Sequence, residues 1–110
     1  MNEALIAVLC AEVAVGRLHW SGHYTRRLWE RAMPDRAQIH YLLCEDDAEV
    51  RESDTDGRGR NCLIWGIMAD GRVGHVLCSH PPNPVVVTAY WPDTEPEEWT
   101  DNYKQRIRRQ

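Results

Sequence analysis

The chain contains no phenylalanine and a single lysine, yet it still has the means to fold. Five tryptophans, four tyrosines and an apolar fraction of 43% are enough for one compact core. A second core does not fit into 110 residues, so we expect a single domain over residues 1–110. No apolar run approaches the roughly 18 residues that a membrane span requires. The start of the chain also lacks the positive segment of a signal peptide, which predicts a cytoplasmic protein with no membrane partner.

Motifs for metals, nucleotides and cofactors are also missing. The four cysteines, at positions 10, 44, 62 and 78, are widely spaced and form no Cys-x-x-Cys pair. We therefore expect all four to be reduced and mostly buried, with neither a zinc site nor a disulfide. The chain has no phosphate-binding loop, no Gly-x-Ser-x-Gly elbow and no dinucleotide fingerprint. The sequence thus predicts no metal and no cofactor.

Charge is distributed in blocks along the chain. The net charge is −4, because seven acidic residues in segment 45–56 and five in segment 93–101 outweigh the arginines of segments 17–36 and 104–110. Twelve of the thirteen basic residues are arginine, the side chain suited to two-point contacts with phosphate or carboxylate. A free nucleic-acid binder is normally basic overall. Any nucleic-acid role of this chain must therefore use a local patch.

The first third of the chain shows helical spacing. Apolar residues recur every three or four positions over 2–15, where Gly16 ends the pattern. Ser21 is placed to cap a second helix over 22–33, which Pro34 stops, and 17–20 forms a connector between the two. Asp35 and Gln38 form a capping-box pattern for a third helix over 36–44.

The rest of the chain shows strand patterns, over 48–53, 60–69, 72–79 and 85–91. The first is polar enough to serve as an edge strand. Asp70-Gly71 predicts a two-residue type I′ turn, which would set His75 opposite Gly66 and would direct Cys62 and Cys78 to opposite faces. After Pro92 we expect a short helix over 97–103 and a frayed basic tail over 104–110. The predicted fold is α+β, with three N-terminal helices packed on a four-stranded antiparallel sheet.

A row of basic side chains marks the second predicted helix. His23, Arg27 and Arg31 follow one another at intervals of four residues and therefore share one face. The row is either a solvated helix face or a cationic rim beside a cleft of the sheet. Arg58 and Arg60 at the start of a strand favour the cleft, as do Thr88 and Tyr90, which share one face of the last strand.

His75 has two interpretations of equal weight. Its predicted neighbours on the sheet are apolar, which suits a neutral, hydrogen-bonded histidine of the core. The predicted glycine opposite it would leave space for a pocket, which suits a functional residue.

The order of the motifs carries a family resemblance. In sequence they are Arg-Leu-His-Trp-Ser-Gly-His-x-x-x-Arg-x-x-x-Arg, Gly-Arg-x-x-Leu-Ile-x-Gly, Asp-Gly-Arg-x-x-His-Val and Val-Val-Thr-Ala-Tyr-x-Pro-Asp. This order resembles the small bacterial family filed as domain of unknown function 4258. The resemblance implies an α+β domain similar to RelE/BrnT-type toxins, and a toxin–antitoxin module with a small antitoxin of the zinc-finger type as partner. It also implies the site residues His23, Arg27, Arg31, Arg60, His75, Thr88 and Tyr90.

Two functions from different classes follow. The first is a metal-independent endoribonuclease of the toxin type, with RNA as its substrate. In that case His75 or His23 transfers protons, Arg27, Arg31 and Arg60 bind the phosphate with Thr88 beside them, and Tyr90 orients the phosphate. The alternative is a non-catalytic module that binds a partner protein through the sheet edge or cleft. The acid-rich first strand and tail favour the alternative, because they could pair with a basic partner.

Overall fold

The computed structural model describes residues 2–30, 32–56, 59–80 and 84–107. Three helices come first, α1 (Asn2–Ala14), α2 (Gly22–Glu30) and α3 (Arg36–Leu43), with the short strand β1 (His19–Trp20) between the first two. The later strands are β2 (Glu49–Asp56), β3 (Gly59–Ile67), β4 (Val73–Ser79), β5 (Val85–Tyr90), β6 (Trp99–Thr100) and β7 (Gln105–Arg106). None of the helices in these ranges is long and apolar enough to cross a membrane. The predicted α+β class with three helices is confirmed.

The main sheet has five strands in the order β1-β5-β4-β3-β2 and is mixed. β1 runs parallel to β5, whereas the other neighbours are antiparallel. The prediction of four antiparallel strands was therefore wrong in detail. β1 has two residues, which is too short to show the alternation that identifies a strand. The predicted edge position of β2 is confirmed.

The helices cover one face of this sheet. Tyr24 of α2 and Ile39, Leu42 and Leu43 of α3 are fully buried against it. The predicted cap of α3 is confirmed, because Asp35 and Gln38 form a capping box. The Ser21 hydroxyl accepts from the Tyr24 amide and so caps α2 as predicted. α2 ends at Glu30, however, and the chain after it is held by the Tyr24 hydroxyl, which donates to the Pro34 carbonyl at 2.8 Å.

The hairpin between β3 and β4 has a three-residue loop, so the predicted two-residue turn was wrong. The Gly71 amide donates to the Met68 carbonyl at 2.9 Å, and the Met68 amide donates to the Arg72 carbonyl at 2.8 Å. Gly71 takes a φ of +89°, the left-handed conformation that a three-residue hairpin loop requires at its last position. The extra residue shifts every cross-strand pair by one.

The shifted register changes the neighbour of His75. Trp65 lies opposite His75, and Gly66 lies opposite Gly74. Cys62 and Cys78 lie opposite each other on the helix-covered face, rather than on opposite faces as predicted. Both are free, buried thiols, which agrees with that part of the cysteine prediction. Burial raises the pKa of each thiol, to about 11 for Cys62, so both are protonated.

A disulfide joins Cys10 of α1 to Cys44 at the end of α3, with the Cα atoms 5.1 Å apart. The expectation that all four cysteines are reduced was wrong for this pair. Their separation of 34 positions gives no sign of proximity in the sequence. Helix packing brings the two Cα atoms within the range that a disulfide spans.

The C-terminal segment covers the second face of the sheet. Two short 3₁₀ turns (Pro92–Thr94 and Pro96–Glu98) lead into an antiparallel ribbon of β6 and β7. The ribbon turns through Asp101, Asn102 and Tyr103, which all have positive φ. The predicted helix over 97–103 was therefore wrong, since a helix cannot pass through three left-handed residues. The Trp65 indole donates to the Asn102 carbonyl at 2.8 Å, which holds the turn of the ribbon against the sheet. The start of the predicted frayed tail is ordered, because Gln105 and Arg106 pair with Thr100 and Trp99, and residues 108–110 of that tail lie outside the described residues.

Candidate functional site

A cleft of about 620 Å³ opens along the edge of β5. Residues 88–91 all line it, although alternate residues of a strand point to opposite faces of a sheet. The cleft therefore follows the edge of the strand rather than one of its faces. β1 pairs with Val85 and Val86, and the part of β5 beyond them has no strand on that side among the described residues.

The first wall of the cleft is α2 and the chain that follows it, with His23, Arg27, Ala32 and Met33. The Ser21 hydroxyl fixes the start of α2 beside β5, because it donates to the Val87 carbonyl at 2.7 Å. Burial of Tyr24 then fixes the rotation of the helix. His23 and Arg27, one turn apart, lie on the flank of the buried face and so reach the cleft.

The opposite wall is the C-terminal segment. Its lining residues are Pro92, Thr94, Glu95, Glu98, Trp99 and Arg106. The guanidinium of Arg106 donates to both carboxylate oxygens of Glu52, at 3.2 and 3.3 Å, and its carbon lies 4.5 Å from the centre of the Trp99 ring. These contacts attach the ribbon to β2 and set the width of the cleft. The hydrogen bonds to Glu52 raise the pKa of Arg106.

The cleft brings together four residues that the sequence analysis singled out: His23, Arg27, Thr88 and Tyr90. Arg60 lies elsewhere, exposed at the start of β3, where its carbonyl accepts from the His80 amide. Arg31 and Arg58 lie outside the described residues. Two members of the α2 row, His23 and Arg27, thus lie in a cleft at the edge of β5, and Arg60 of β3 does not line that cleft.

His75 lies behind the wall of the cleft and has no exposed surface. Its Nε2–H donates to the Tyr103 carbonyl at 2.8 Å, since a carbonyl can only accept. Its Nδ1 is then the acceptor for the Tyr90 hydroxyl at 3.2 Å. The Trp99 ring packs edge-on against the imidazole, with the centroids 4.4 Å apart. This is the environment of a hydrogen-bonded core histidine, and the absence of space opposite it follows from the shifted hairpin register.

Burial also determines the protonation states of His75 and Tyr90. It lowers the pKa of His75 to about 4, despite the hydrogen bond to Tyr103, so the imidazole is neutral at neutral pH. Burial raises the pKa of Tyr90 to about 12, although the charge of Arg106 acts in the opposite direction. Tyr90 therefore stays protonated and is held in place by His75. A role for His75 in proton transfer stays a prediction. Its ring has no exposed surface and is not among the residues that line the cleft.

The sequence analysis missed the C-terminal wall, including Arg106, Trp99 and Glu98. These residues come from a segment predicted to be part helix and part frayed tail. The available signal was Asp101-Asn102, because Asp and Asn are the non-glycine residues that most readily turn left-handed. Such a pair between Thr100 and Gln105 is compatible with a ribbon.

Basic and acidic side chains both face the cleft. His23 and Arg27 stand on one wall, and Glu95 and Glu98 stand on the other. Arg27 lies 3.8 Å from Glu30, and both side chains are well exposed, so this ion pair restrains the arginine little. The site can thus bind an anion on the α2 side and hold proton donors and acceptors on both sides. Within the described ranges no three His, Cys, Asp or Glu residues come together to hold a metal ion.

Comparison with known proteins locates the cleft relative to a family. The model of a domain of unknown function (DUF4258) matches residues 20–91. The matched range includes α2, α3 and β2–β5, and it stops at the residue before the C-terminal wall. Neither a curated protein nor a solved structure gives a significant match.

Proposed function

The chain belongs to the DUF4258 family, and we propose that the cleft beside β5 is the active site of a metal-independent endoribonuclease in a toxin–antitoxin module. One observation carries this proposal: His23, Arg27, Thr88 and Tyr90, all within the family region, line a single cleft. They combine a proton-transfer group, a cation for phosphate and two hydroxyls. The kinship with RelE/BrnT-type toxins is part of the same proposal.

Arg27 binds the scissile phosphate in this proposal. Its guanidinium offers donors in a fork that matches two phosphate oxygens. The same charge stabilises the additional negative charge that develops on the pentacoordinate phosphorus. The Thr88 hydroxyl and the half-buried Tyr90 hydroxyl orient the phosphate or ribose on the strand side, and His75 positions Tyr90 from behind.

Proton transfer requires one group on each side of the phosphate. Glu98 removes the proton of the ribose 2′-hydroxyl, whose oxygen forms a bond to phosphorus as the bond to the 5′-oxygen breaks. His23 gives its proton to the departing 5′-oxygen. The products are a 2′,3′-cyclic phosphate and a 5′-hydroxyl, and water returns the proton from Glu98 to His23. No oxidant, reductant or co-reactant is needed.

The test is cleavage of end-labelled single-stranded RNA by the purified chain in the presence of a chelator. His23→Gln should lower the rate by about 10²- to 10⁴-fold, the usual loss when a proton-transfer group is removed. Arg27→Gln should also be strongly impaired. Arg17→Gln is the matched control, since Arg17 is an exposed arginine paired with Glu12 on α1. Absence of cleavage by the folded wild-type chain, or full activity of His23→Gln, would refute the proposal.

The uncovered half of β5 favours a second function, a module that binds a partner protein. An extended segment of a small antitoxin, including one of the zinc-finger type, could add to β5 between the two walls. The acidic strand β2 is a weaker candidate than the sequence suggested, because Glu49 pairs with Lys104 and Glu52 pairs with Arg106. Our second candidate is therefore strand addition at residues 88–91.

Hydrogen exchange tests this second function. It is measured on the chain alone and on its complex with a small antitoxin encoded by a neighbouring gene. Binding should slow exchange of the amides in 88–91 and leave those of β2 unchanged. Ala32→Trp, which fills the cleft, should weaken the complex. Protection confined to β2, or undiminished binding by Ala32→Trp, would contradict strand addition.

A further inference from the structure

Trp29 on α2 is the most solvent-exposed large apolar residue in the described part of the chain. Its exposed fraction is 88%, whereas Trp65, Trp91 and Trp99 are buried at 3 to 8%. An exposed tryptophan ring adds nothing to the core of the domain, and it presents a wide flat surface to solvent. Packing within the domain therefore does not explain why a tryptophan stands at this position.

Helical spacing joins Trp29 to the cleft. Arg26 precedes it by three residues, and His23 precedes Arg26 by three, so the side chains form a continuous track on the outer surface of α2. Neighbours three apart on a helix have Cβ atoms about 5–6 Å apart, which places Trp29 roughly 10–12 Å from His23. One end of the track is therefore the cleft, and the other end is the exposed ring.

The charge of the track suits a polyanion. On the helix that carries the track, Arg26 and Arg27 stand against one acid in the described part of α2, Glu30, which lies beside Arg27. The surroundings of the ring are polar, since Thr25, Arg26 and Glu30 are its near neighbours on the helix. A protein-binding hot spot normally lies within a well-packed apolar patch. An exposed aromatic ring with an arginine one helical turn away is an arrangement on which nucleic-acid bases stack.

We propose that Trp29 is a stacking platform for an unpaired base of single-stranded RNA, with Arg26 contacting the backbone between this base and the nucleotide in the cleft. The proposal rests on the proposed nuclease function and narrows its substrate class to single strands. In a duplex the bases are stacked on one another and are not free to lie on a side chain. Stacking accepts any base, so this contact would add affinity rather than sequence preference.

The experiment measures binding of a fluorescein-labelled oligoadenylate of about twelve nucleotides, a length within the site sizes of single-strand binders. A His23→Gln background prevents cleavage. Trp29→Ala should weaken binding by about 5- to 150-fold, the range that corresponds to one stacked base. Trp29→Tyr is the matched control and should retain most of the affinity. The exposed position of Trp29 predicts that neither variant changes the melting temperature appreciably.

Salt dependence separates stacking from charge. Trp29→Ala should leave the slope of log affinity against log salt unchanged. Arg26→Gln should reduce that slope by about 0.7, the value of one phosphate contact on a single strand. A duplex of the same length should bind Trp29→Ala and wild type equally.

Several outcomes would overturn the inference. These are equal affinity of Trp29→Ala and wild type for the single strand, an equal loss with the duplex, or a tyrosine variant as weak as alanine. Loss of protein-partner binding in Trp29→Ala with RNA affinity intact would assign the ring to a protein interface instead. RNA binding that depends on Trp29, without cleavage by the wild type, would refute the nuclease and retain the platform. RNA cleavage by Trp29→Ala at the wild-type rate, with unchanged RNA affinity, would retain the nuclease and refute the platform.

Discussion

The two faces of the sheet are covered in different ways, although the same strands supply both. On the face under the helices, Gly66 and Gly74 lie opposite each other and Leu42 of α3 packs against them. On the other face, His75 lies opposite Trp65, and a ribbon with a left-handed turn covers both through hydrogen bonds to its backbone. One face is held by close apolar packing and the other by directed polar contacts.

This difference has a consequence for the cleft. The cleft lies where the two kinds of cover meet, with α2 on one wall and the ribbon on the other. The helical wall belongs to the region that the family model matches, and the ribbon lies beyond it. Contacts between titratable polar groups depend on pH, and a single substitution can remove one of them. Apolar packing does not depend on pH, and a substitution within it disturbs several neighbouring side chains at once.

The disulfide should stabilise the helical cover most strongly. Cys44→Ser, or reduction of the wild type, should lower the free energy of unfolding by about 3 to 4 kcal/mol, because a closed loop of this length restricts the unfolded chain. Urea unfolding with and without reductant measures the change. Cys62→Ala is the control. This variant keeps the Cys10–Cys44 disulfide, so reductant should lower its free energy of unfolding as it does that of the wild type. Equal stability of the oxidised and reduced chains would contradict the prediction.

Acid should loosen the ribbon-covered face through His75. The unfolded imidazole binds a proton near pH 6.5, whereas the pKa of the folded one is about 4. The unfolded state therefore binds more protons between these values, and stability falls as pH drops from about 6.5 towards 4. The full loss is about 3 kcal/mol.

His75→Phe isolates this contribution in urea unfolding at a series of pH values. The variant should be less stable at pH 7, since Tyr90 and Tyr103 lose a partner, but its stability should depend less on pH between 4.5 and 7. His80, whose pKa burial also lowers, contributes equally to both proteins and cancels in the difference. Identical pH profiles would show that His75 is not buried as a neutral group.

The glycine pair should tolerate no side chain. A Cβ at Gly66 would lie 2.5 Å from Cγ of Leu42, so Gly66→Ala must displace the Leu42 side chain and disturb the packing of α3 on the sheet. We expect a loss of about 1 to 3 kcal/mol, typical of overpacking. Gly22→Ala is the matched control, because no atom lies within 4 Å of its would-be Cβ. Similar stability of the two variants would mean that α3 does not press on the sheet.

The smallest effect should come from the turn of the ribbon. Asp101 is exposed and has a φ of +55°, which costs an L residue more than glycine. Asp101→Gly should raise the free energy of unfolding by about 0.5 kcal/mol, and Asp101→Val should lower it by more than 1 kcal/mol, roughly the left-handed penalty of a β-branched residue. Thermal unfolding of both variants checks the sign. A stabilised valine variant would contradict the left-handed turn.

Local patterns predicted the elements and part of the cleft. The capping box of Asp35 and Gln38 placed the start of α3, and the polar alternation of β2 identified it as an edge. The spacing of His23 and Arg27, and that of Thr88 and Tyr90, led to residues that line one cleft. Their action on a substrate stays a prediction.

Other features depended on contacts between distant segments. The same amino-acid sequence around Asp70-Gly71 is compatible with a two-residue turn and with a three-residue loop. This difference of one residue changed the cross-strand neighbour of His75 from Gly66 to Trp65. The Cys10–Cys44 disulfide and the attachment of Arg106 to Glu52 join segments far apart in the chain. Neither leaves a periodic signal.

The sequence by itself determined which residues share one face of a helix or of a strand, because regular spacing along the chain encodes this. The four-residue interval of His23 and Arg27 sets a shared helix face, and the two-residue interval of Thr88 and Tyr90 sets a shared strand face, because backbone geometry fixes these periods. Tertiary structure decided whether a face meets water, a helix or the ribbon. Those outcomes depend on loop length, strand register and packing between segments that are separated along the chain, and no local period carries such contacts. His75 is therefore enclosed and neutral, whereas His23 stands at the rim of the cleft.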